Sequence, residues 1–394
     1  MGACPPTKEN GGSMRVAFVH EWLVTYAGSE KVLSEMLKEF PEADLFCLVD
    51  FTKDRYRDKF MGKAFRTSFL QKFILIPSIY RYFFPLMQIA VEQFDLSGYD
   101  LVISNSHAVA KGVITGPDQL HVSYCYTPMR YAWDLQHQYL RHQKLDKNLR
   151  GLFARYFLHL ARIWDTRTAN GVDHFIACSK YIGRRMWKAY RRNSDVIYPG
   201  VDTDYFHIGG EKEDYYFTSS RLVPYKRVTL IVEAFAQMPD KRLVVIGDGP
   251  QFQEVKRTAG PNVTVLGFQA DDVLLRHMQQ AKAFIFAAEE DFGITPLEAQ
   301  ACGTPVLAYG RGGASETVID GVTGIHFWTQ SVEAICHAVN RFEKSGIVFD
   351  PKTIRKHAER FSIARFRTEF RDKIHELWAG HAKSQENMEE MVES

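Results

Sequence analysis

Cysteine is sparse and scattered. Cys4, Cys47, Cys125, Cys178, Cys302 and Cys336 include no Cys-x-x-Cys pair, which speaks against a zinc site or a disulfide framework. Cys125 and Cys178 fall in apolar, strand-like runs and read as buried thiols, so a reducing, cytoplasmic compartment is expected. An excess of one charge is also missing. The formal net charge of +2 lacks the basic surplus of a dedicated nucleic-acid binder, and no nucleic-acid partner is expected. Nor is there a long hydrophobic run. The most apolar window, residues 69–91, is interrupted by Lys72, Pro77, Arg81 and Pro85, whereas a membrane span needs about 20 mostly apolar residues. Residues 1–13 carry no signal-peptide pattern and are expected to be a flexible leader or tag, with the fold starting at Met14. No Ser/His/Asp arrangement stands out, and no carboxylate pair reads as acid and nucleophile.

What is present is a long α/β rhythm. With 394 residues, 45% of them hydrophobic, the chain is long enough for about two or three cores. Apolar runs at 15–19 and 45–49 flank a helical pattern at 30–38, and further strands are expected at 101–104, 121–124 and 175–178. A second series follows at 215–219, 243–246, 263–266, 284–287 and 305–308, separated by helices at 228–237, 272–280 and 296–302. This alternation predicts two doubly wound parallel sheets, and two such domains predict an interdomain cleft. The turn-rich segment Tyr198-Pro199-Gly200-Val201-Asp202-Thr203-Asp204 divides the series. It sets an N-terminal domain over 14–198 and a C-terminal domain over 199–365. A helix over 366–384 is expected to return to the N-terminal domain, and 385–394 to form a flexible tail.

The sharpest chemical feature is Glu290-Asp291-Phe292-Gly293-Ile294-Thr295-Pro296-Leu297-Glu298. Pro296 suits the first position of a helix, Thr295 its N-cap, and Glu298 the matching carboxylate of a capping box. The same placement serves a second purpose. A carboxylate in the first helical turn can accept ribose hydroxyls while the helix N-terminus faces a diphosphate. Gly293 would let backbone approach a ligand closely.

The two glutamates, with seven residues between them and Glu-Ala-Gln-Ala-Cys-Gly-Thr-Pro-Val following the second's start, resemble the E-x7-E signature of glycosyltransferase family 4. Four more ordered segments are similar to that family: Pro199-Gly200-Val201-Asp202-Thr203-Asp204-Tyr205-Phe206; Ser220-Arg221-Leu222-Val223-Pro224-Tyr225-Lys226; Gly247-Asp248-Gly249-Pro250; and Gly312-Gly313-Ala314-Ser315-Glu316 with Asp320-Gly321-Val322-Thr323-Gly324. The resemblance implies the GT-B fold, two Rossmann-like domains with parallel sheets facing a cleft, and a retaining transferase using a nucleotide-sugar donor. It implies that Arg221 and Lys226 hold the diphosphate, that Glu298 binds the ribose, and that Glu290 contacts the transferred sugar. Gly28, Ser29, Gly247, Phe292, Gly293, Ile294 and Thr295 complete the donor set. Asp202-Thr203-Asp204 looks like an Asp-x-Asp metal site but sits in the linker, where turn chemistry is the expected role. No metal and no cofactor are expected.

Segment Tyr124 to Asp134 closely resembles a mannosyltransferase-like subgroup of the family. In that subgroup histidine is expected where this chain has Tyr126, so the donor-sugar contact would fall to Tyr126 or to His107, which follows a strand. His20, at the end of strand 1, is weighed alongside His107, and lone histidines more often serve structure. Arg130 and Asp134 are expected on the acceptor side or in a buried ion pair. Mannose from GDP-mannose is the expected donor. A UDP-sugar hexosyltransferase, a sugar-nucleotide epimerase and a non-catalytic sugar-binding homologue are the alternatives.

Two stretches interleave cations with aromatics and read as amphipathic helices. One carries Lys63, Arg66, Lys72 and Arg81 among Phe65, Phe69, Phe73, Ile74, Ile76, Tyr80 and Tyr82. The other runs from Arg141 through Lys144, Lys147, Arg150, Phe153, Arg155, Tyr156, Phe157 and Arg162 to Trp164. They predict peripheral attachment to an anionic membrane, on its cytoplasmic, inner face. That placement would suit a saccharide acceptor carried on a polyprenyl diphosphate.

Overall fold

The structure, a computed structural model, describes residues 14–142, 144–145 and 148–393. The leader expected over 1–13, and Lys147, lie outside the described residues. The chain divides into two compact units. The first comprises residues up to 176, 186–195 and those from 370 on; the second comprises 177–185 and 196–369.

The first unit is built on strands β1 (Val16–His20), β2 (Asp44–Cys47), β3 (Phe65–Thr67), β4 (Leu101–Ser106), β5 (Leu120–Cys125), β6 (His174–Ala177) and β7 (Asp195–Val196). They form one sheet in the order β3-β2-β1-β4-β5-β6-β7. All five residues of β1 are buried, as expected for a parallel strand covered on both faces. On one face Ala17, Val19 and Val102 pack with Met87, Ala90 and Val91 of the helix Phe84–Glu92. From Phe370 onward the helix Ile363–Glu393 belongs to this unit, with Phe370 against Phe40 at 6.2 Å and Tyr124 at 6.3 Å. The helix runs to Glu393, through the stretch expected to be a tail.

The second unit carries β8 (Tyr216–Ser219), β9 (Leu243–Ile246), β10 (Val263–Gly267), β11 (Ala283–Phe286), β12 (Val306–Tyr309) and β13 (Gly324–Phe327). They are ordered β10-β9-β8-β11-β12-β13, and every neighbouring pair is parallel. Ile231, Val232 and Phe235 of the helix Val228–Ala236 pack on Leu243, Val245, Ile285 and Leu307. Both sheets reverse direction of growth beside their first strand, at β1/β4 and at β8/β11. In a doubly wound sheet, ligands bind at such a switch point, outside the carboxyl ends of the strands.

The basic–aromatic stretch 63–81 is not a helix. It breaks into β3 and the short 3-10 segments Phe69–Lys72 and Pro77–Phe83, the first capped by the Ser68 hydroxyl and the second opened by Pro77. The second stretch does contain a helix, Leu149–Ala169. Among the described residues, no helix is long and apolar enough to cross a membrane.

Candidate functional site

At the β8/β11 switch point the segments following the two strands bring Lys226 and Glu290 together as an ion pair. Lys226 closes the 3-10 turn Pro224–Lys226, after which Arg227 takes a left-handed φ of 57° and the chain enters the next helix. Arg221, earlier in the same segment, is exposed. The segment is held from below by backbone bonds. The N–H of Leu222 donates to the Asp248 carbonyl at 2.9 Å, and that of Gln251 to the Leu222 carbonyl at 3.1 Å. Gly247 has a local reason to be glycine: a Cβ there would lie 1.9 Å from the Ser220 carbonyl oxygen. Its bare backbone therefore serves the approach of one loop to another.

The helix after β11 spans Ile294–Ala301, and its N-cap is Gly293, at φ 85° and without a side-chain cap. This corrects the sequence expectation. Thr295 lies inside the first turn and Pro296 is the third helical residue, so Glu298 is no part of a capping box. Glycine takes the cap because only a left-handed residue turns the chain here. Glu298 is 8% exposed. Ile294 and Thr295, half-buried, carry the first amides of the helix. Phe292 is 4% exposed, its ring stacked on Tyr198 at 5.6 Å and near Phe361 at 6.0 Å. Only the backbone of Phe292 is therefore placed to meet a ligand.

Sequence reasoning passed over the groups that brace Glu290. The Gly313 N–H donates to the Glu290 carbonyl at 2.8 Å. The Ser179 hydroxyl donates to the Asp291 carbonyl at 2.5 Å, and Arg185 Nη1 lies 3.2 Å from Asp291 Oδ1. Glu316 accepts the backbone N–H groups of Lys180 (2.9 Å) and Tyr181 (2.7 Å) and the Tyr198 hydroxyl (2.9 Å). Burial and the Glu316 charge push the Tyr198 phenol well above its ordinary value. The signal for Glu316 was present in the Gly-Gly-Ala-Ser-Glu segment; for Ser179 and Arg185 there was none. Asp202 makes a turn, its Oδ1 accepting the Tyr205 N–H at 2.9 Å.

The β1/β4 switch point of the first unit has its own charge relationship. Glu21, fully buried, accepts the backbone N–H groups of His107 (2.9 Å), Ala108 (2.7 Å), Val109 (2.8 Å) and Ala110 (3.1 Å), and the Ser106 hydroxyl (3.2 Å). Burial pushes its carboxyl up, but His107 and these amides outweigh it and hold the group below its ordinary 4.5. Burial lowers the His107 imidazole below 6.5 against the pull of Glu21. Its ring meets Trp22 edge-on at 4.9 Å and lies 6.4 Å from His20. His20 is buried, with Nε2 at 3.4 Å from Glu30 Oε1.

Gly28 and Ser29 open the helix Gly28–Leu37, where Glu30 Oε2 accepts the Ala27 N–H at 2.9 Å. The Tyr126 hydroxyl donates to the Ser29 carbonyl at 3.2 Å, so the structure joins these two expected site residues. Arg130 is half-buried, whereas Asp134 is exposed, so the buried-pair alternative does not hold for it.

A family model described as Glycosyltransferase Family 4 matches residues 26–205, and one described as Glycosyl transferases group 1 matches residues 205–362. The GDP-mannose-dependent alpha-(1-6)-phosphatidylinositol monomannoside mannosyltransferase of Mycolicibacterium smegmatis is 32% identical over 216 residues, 46% of this chain and 56% of that protein. The D-inositol 3-phosphate glycosyltransferase of Mycobacterium avium is 34% identical over 152 residues, 33% of this chain and 36% of that protein. The matched stretches span between about a third and two thirds of the length of these curated relatives. In fold, the chain is similar to Anabaena HepE solved with UDP-glucose, at TM-score 0.67 and 19% identity over 92% of this chain and 100% of that one. It is also similar to sucrose-phosphate synthase from Thermosynechococcus elongatus, at TM-score 0.69 and 16% identity over 93% of this chain and 100% of that one.

Proposed function

Given that the chain belongs to glycosyltransferase family 4 and has the GT-B fold, we propose that it moves mannose from GDP-mannose to a lipid-linked saccharide, with retention of configuration and without a metal or cofactor. The observation that carries this reading is the Lys226–Glu290 pair at the β8/β11 switch point, with the helix Ile294–Ala301 opening four residues after Glu290. A diphosphate would draw Lys226 and Arg221 to itself, and the helix amides would share its charge. Fixed cations aimed at the leaving diphosphate stabilise the charge that develops as the glycosidic bond breaks. Glu290, relieved of Lys226, would face the positive charge growing on the sugar. The bond from the anomeric carbon to the phosphate oxygen breaks, that to the acceptor oxygen forms, and the released phosphate oxygen takes the acceptor's proton. The smegmatis relative is GDP-mannose-dependent, which supports the donor chosen here.

The lipid-linked acceptor is supported by an unusual surface. Leu149, Leu152, Phe153, Tyr156, Phe157, Leu160 and Ile163 are all exposed. Their spacing puts them on one face of the helix Leu149–Ala169, turned away from the core, as for a helix that lies on a membrane.

The test is transfer from GDP-mannose to a polyprenyl-diphosphate-linked saccharide, with the product's anomeric configuration read by NMR. An α-linked product supports the reading. A β-linked product, or activity that depends on added divalent metal, would overturn the mechanism.

A further inference from the structure

Lys111 and Asp165 form an ion pair deep in the first unit, with side chains 1% and 0% exposed. The transfer chemistry uses neither. Taking two charges out of water costs free energy that an apolar pair of the same volume avoids, so stability alone does not account for them. The carboxylate gathers further donors: Asp165 Oδ2 accepts the Trp133 indole N–H at 2.7 Å and the Tyr190 hydroxyl at 2.8 Å. The Lys111 ammonium lies 3.4 Å from the Thr168 hydroxyl and over the Tyr190 and Trp164 rings, at 5.1 and 5.3 Å.

What the pair joins is more telling than its burial. Asp165 belongs to the buried side of the helix Leu149–Ala169, with Ala161, Trp164 and Thr168. Two of its partners lie on different segments, each following a strand. Lys111, in the 3-10 turn Ala110–Gly112, ends the stretch after β4 that begins with His107. Glu21 holds the front of that stretch through four amides, and Asp165 holds its back. The next residue, Gly112, abuts the helix so closely that a Cβ would lie 2.3 Å from the Trp164 ring. Trp133 lies in the segment after β5 that carries Tyr126 and Arg130, and its N–H donates to the Met129 carbonyl at 3.1 Å. The helix grips this segment a second time, Arg162 Nη1 donating to the Ala132 carbonyl at 2.8 Å. Tyr190 ends the helix Lys180–Tyr190, which carries none of the expected site residues.

We propose that Asp165 is a positioning residue of the transfer: through Lys111 and Trp133 it fixes, from one helix, the two segments that present His107, Tyr126 and Arg130 to the reacting sugars. A carboxylate suits this role because it accepts from several directions at once, and a fully satisfied buried network specifies one arrangement of the segments it ties. Small misplacements of groups around a reacting centre are costly in rate even when they arise away from it. The proposal rests on the transferase reading.

The test measures transfer from GDP-mannose to a polyprenyl-diphosphate-linked saccharide by the full chain, together with its melting temperature. D165N leaves the Lys111 ammonium buried without its counter-charge and should unfold the protein, so the decisive variants are W133F, R162M and Y190F. W133F and R162M each release one hold on the segment after β5. Both should lower kcat about tenfold, with the KM for GDP-mannose within twofold and the stabilisation by GDP retained. R162K, which keeps a donor toward the Ala132 carbonyl, should recover most of the kcat lost in R162M. Y190F removes a donor from the same carboxylate oxygen as W133F; it should lower the melting temperature as W133F does while leaving kcat within twofold. A kcat in W133F and R162M equal to that of the unaltered protein would overturn the proposal, and so would equal losses of kcat in W133F and Y190F. If the unaltered chain transfers nothing, the transferase reading falls and takes this proposal with it. If it transfers and W133F and R162M match it, only the positioning role falls.

Discussion

Lys226 and Glu290 stand 64 residues apart in the chain and meet as an ion pair where β8 and β11 part. Each lies in the segment that follows a different strand, so the pair ties the two segments together at the switch point. Replacing Glu290 by Gln keeps the shape and removes the charge. The expected outcome is a loss of about 10²–10³ in kcat, the scale of one preorganised electrostatic contact. Circular dichroism should be unchanged. Transfer at the original rate in E290Q would remove Glu290 from the mechanism.

The position of the helix cap can be tested separately from catalysis. Gly293 holds φ 85° at the N-cap of Ile294–Ala301, and an L side chain in that region costs about 1–2 kcal/mol. G293A should therefore lower stability by that amount in urea unfolding. T295A should change it by less than about 0.5 kcal/mol, whereas an N-cap threonine would cost about 1 kcal/mol. E298A should raise the KM for donor.

Glu21 offers a pH signature. Its folded-state pKa lies below the ordinary 4.5, so the unfolded chain binds the extra proton on acidification. The stability it contributes is complete above about pH 4.5 and is lost as the pH falls through the folded value. E21Q turns an amide N–H toward converging backbone N–H groups and should cost about 2–3 kcal/mol at pH 7. The difference from the unaltered protein should shrink below pH 4.5. A penalty that is constant from pH 7 to pH 3 would contradict the charged nest.

The exposed face of Leu149–Ala169 predicts binding to anionic vesicles at low salt. Serine at Leu152, Phe153, Tyr156 and Phe157 should reduce co-sedimentation at least tenfold. Because these side chains are exposed, folding stability should change by less than about 0.5 kcal/mol per site.

Much of this was legible in the sequence because apolar runs bounded by turns mark buried parallel strands: Leu243–Ile246 falls where its pattern puts it. Three strands escaped notice: Phe65–Thr67 and Asp195–Val196, with three and two residues, are too short to show a period, and Gly324–Phe327 opens on the last glycine of a segment read only as a motif. The stretch around Arg66 and Lys72 has helical spacing, yet Ser68 and Pro77 cut it into short turns. At the candidate site, motif spacing found Lys226 and Glu290. It misplaced the helix cap, because a Thr-Pro pair advertises a helix start while Gly293 turns the chain two residues earlier. Glu21 gave no local sign, since the amides it gathers lie 86 to 89 residues away.

On the proposed reading, the second unit binds a nucleoside diphosphate through Arg221, Lys226 and the helix at Ile294. Thermal unfolding with GDP, UDP and ADP tests it directly. A ligand at 100 times its Kd stabilises the folded state by about 2.7 kcal/mol. GDP should raise the melting temperature most, and R221A/K226A should abolish the shift. Stabilisation by UDP alone would contradict the GDP-mannose donor, and no shift with any of the three would contradict the site itself.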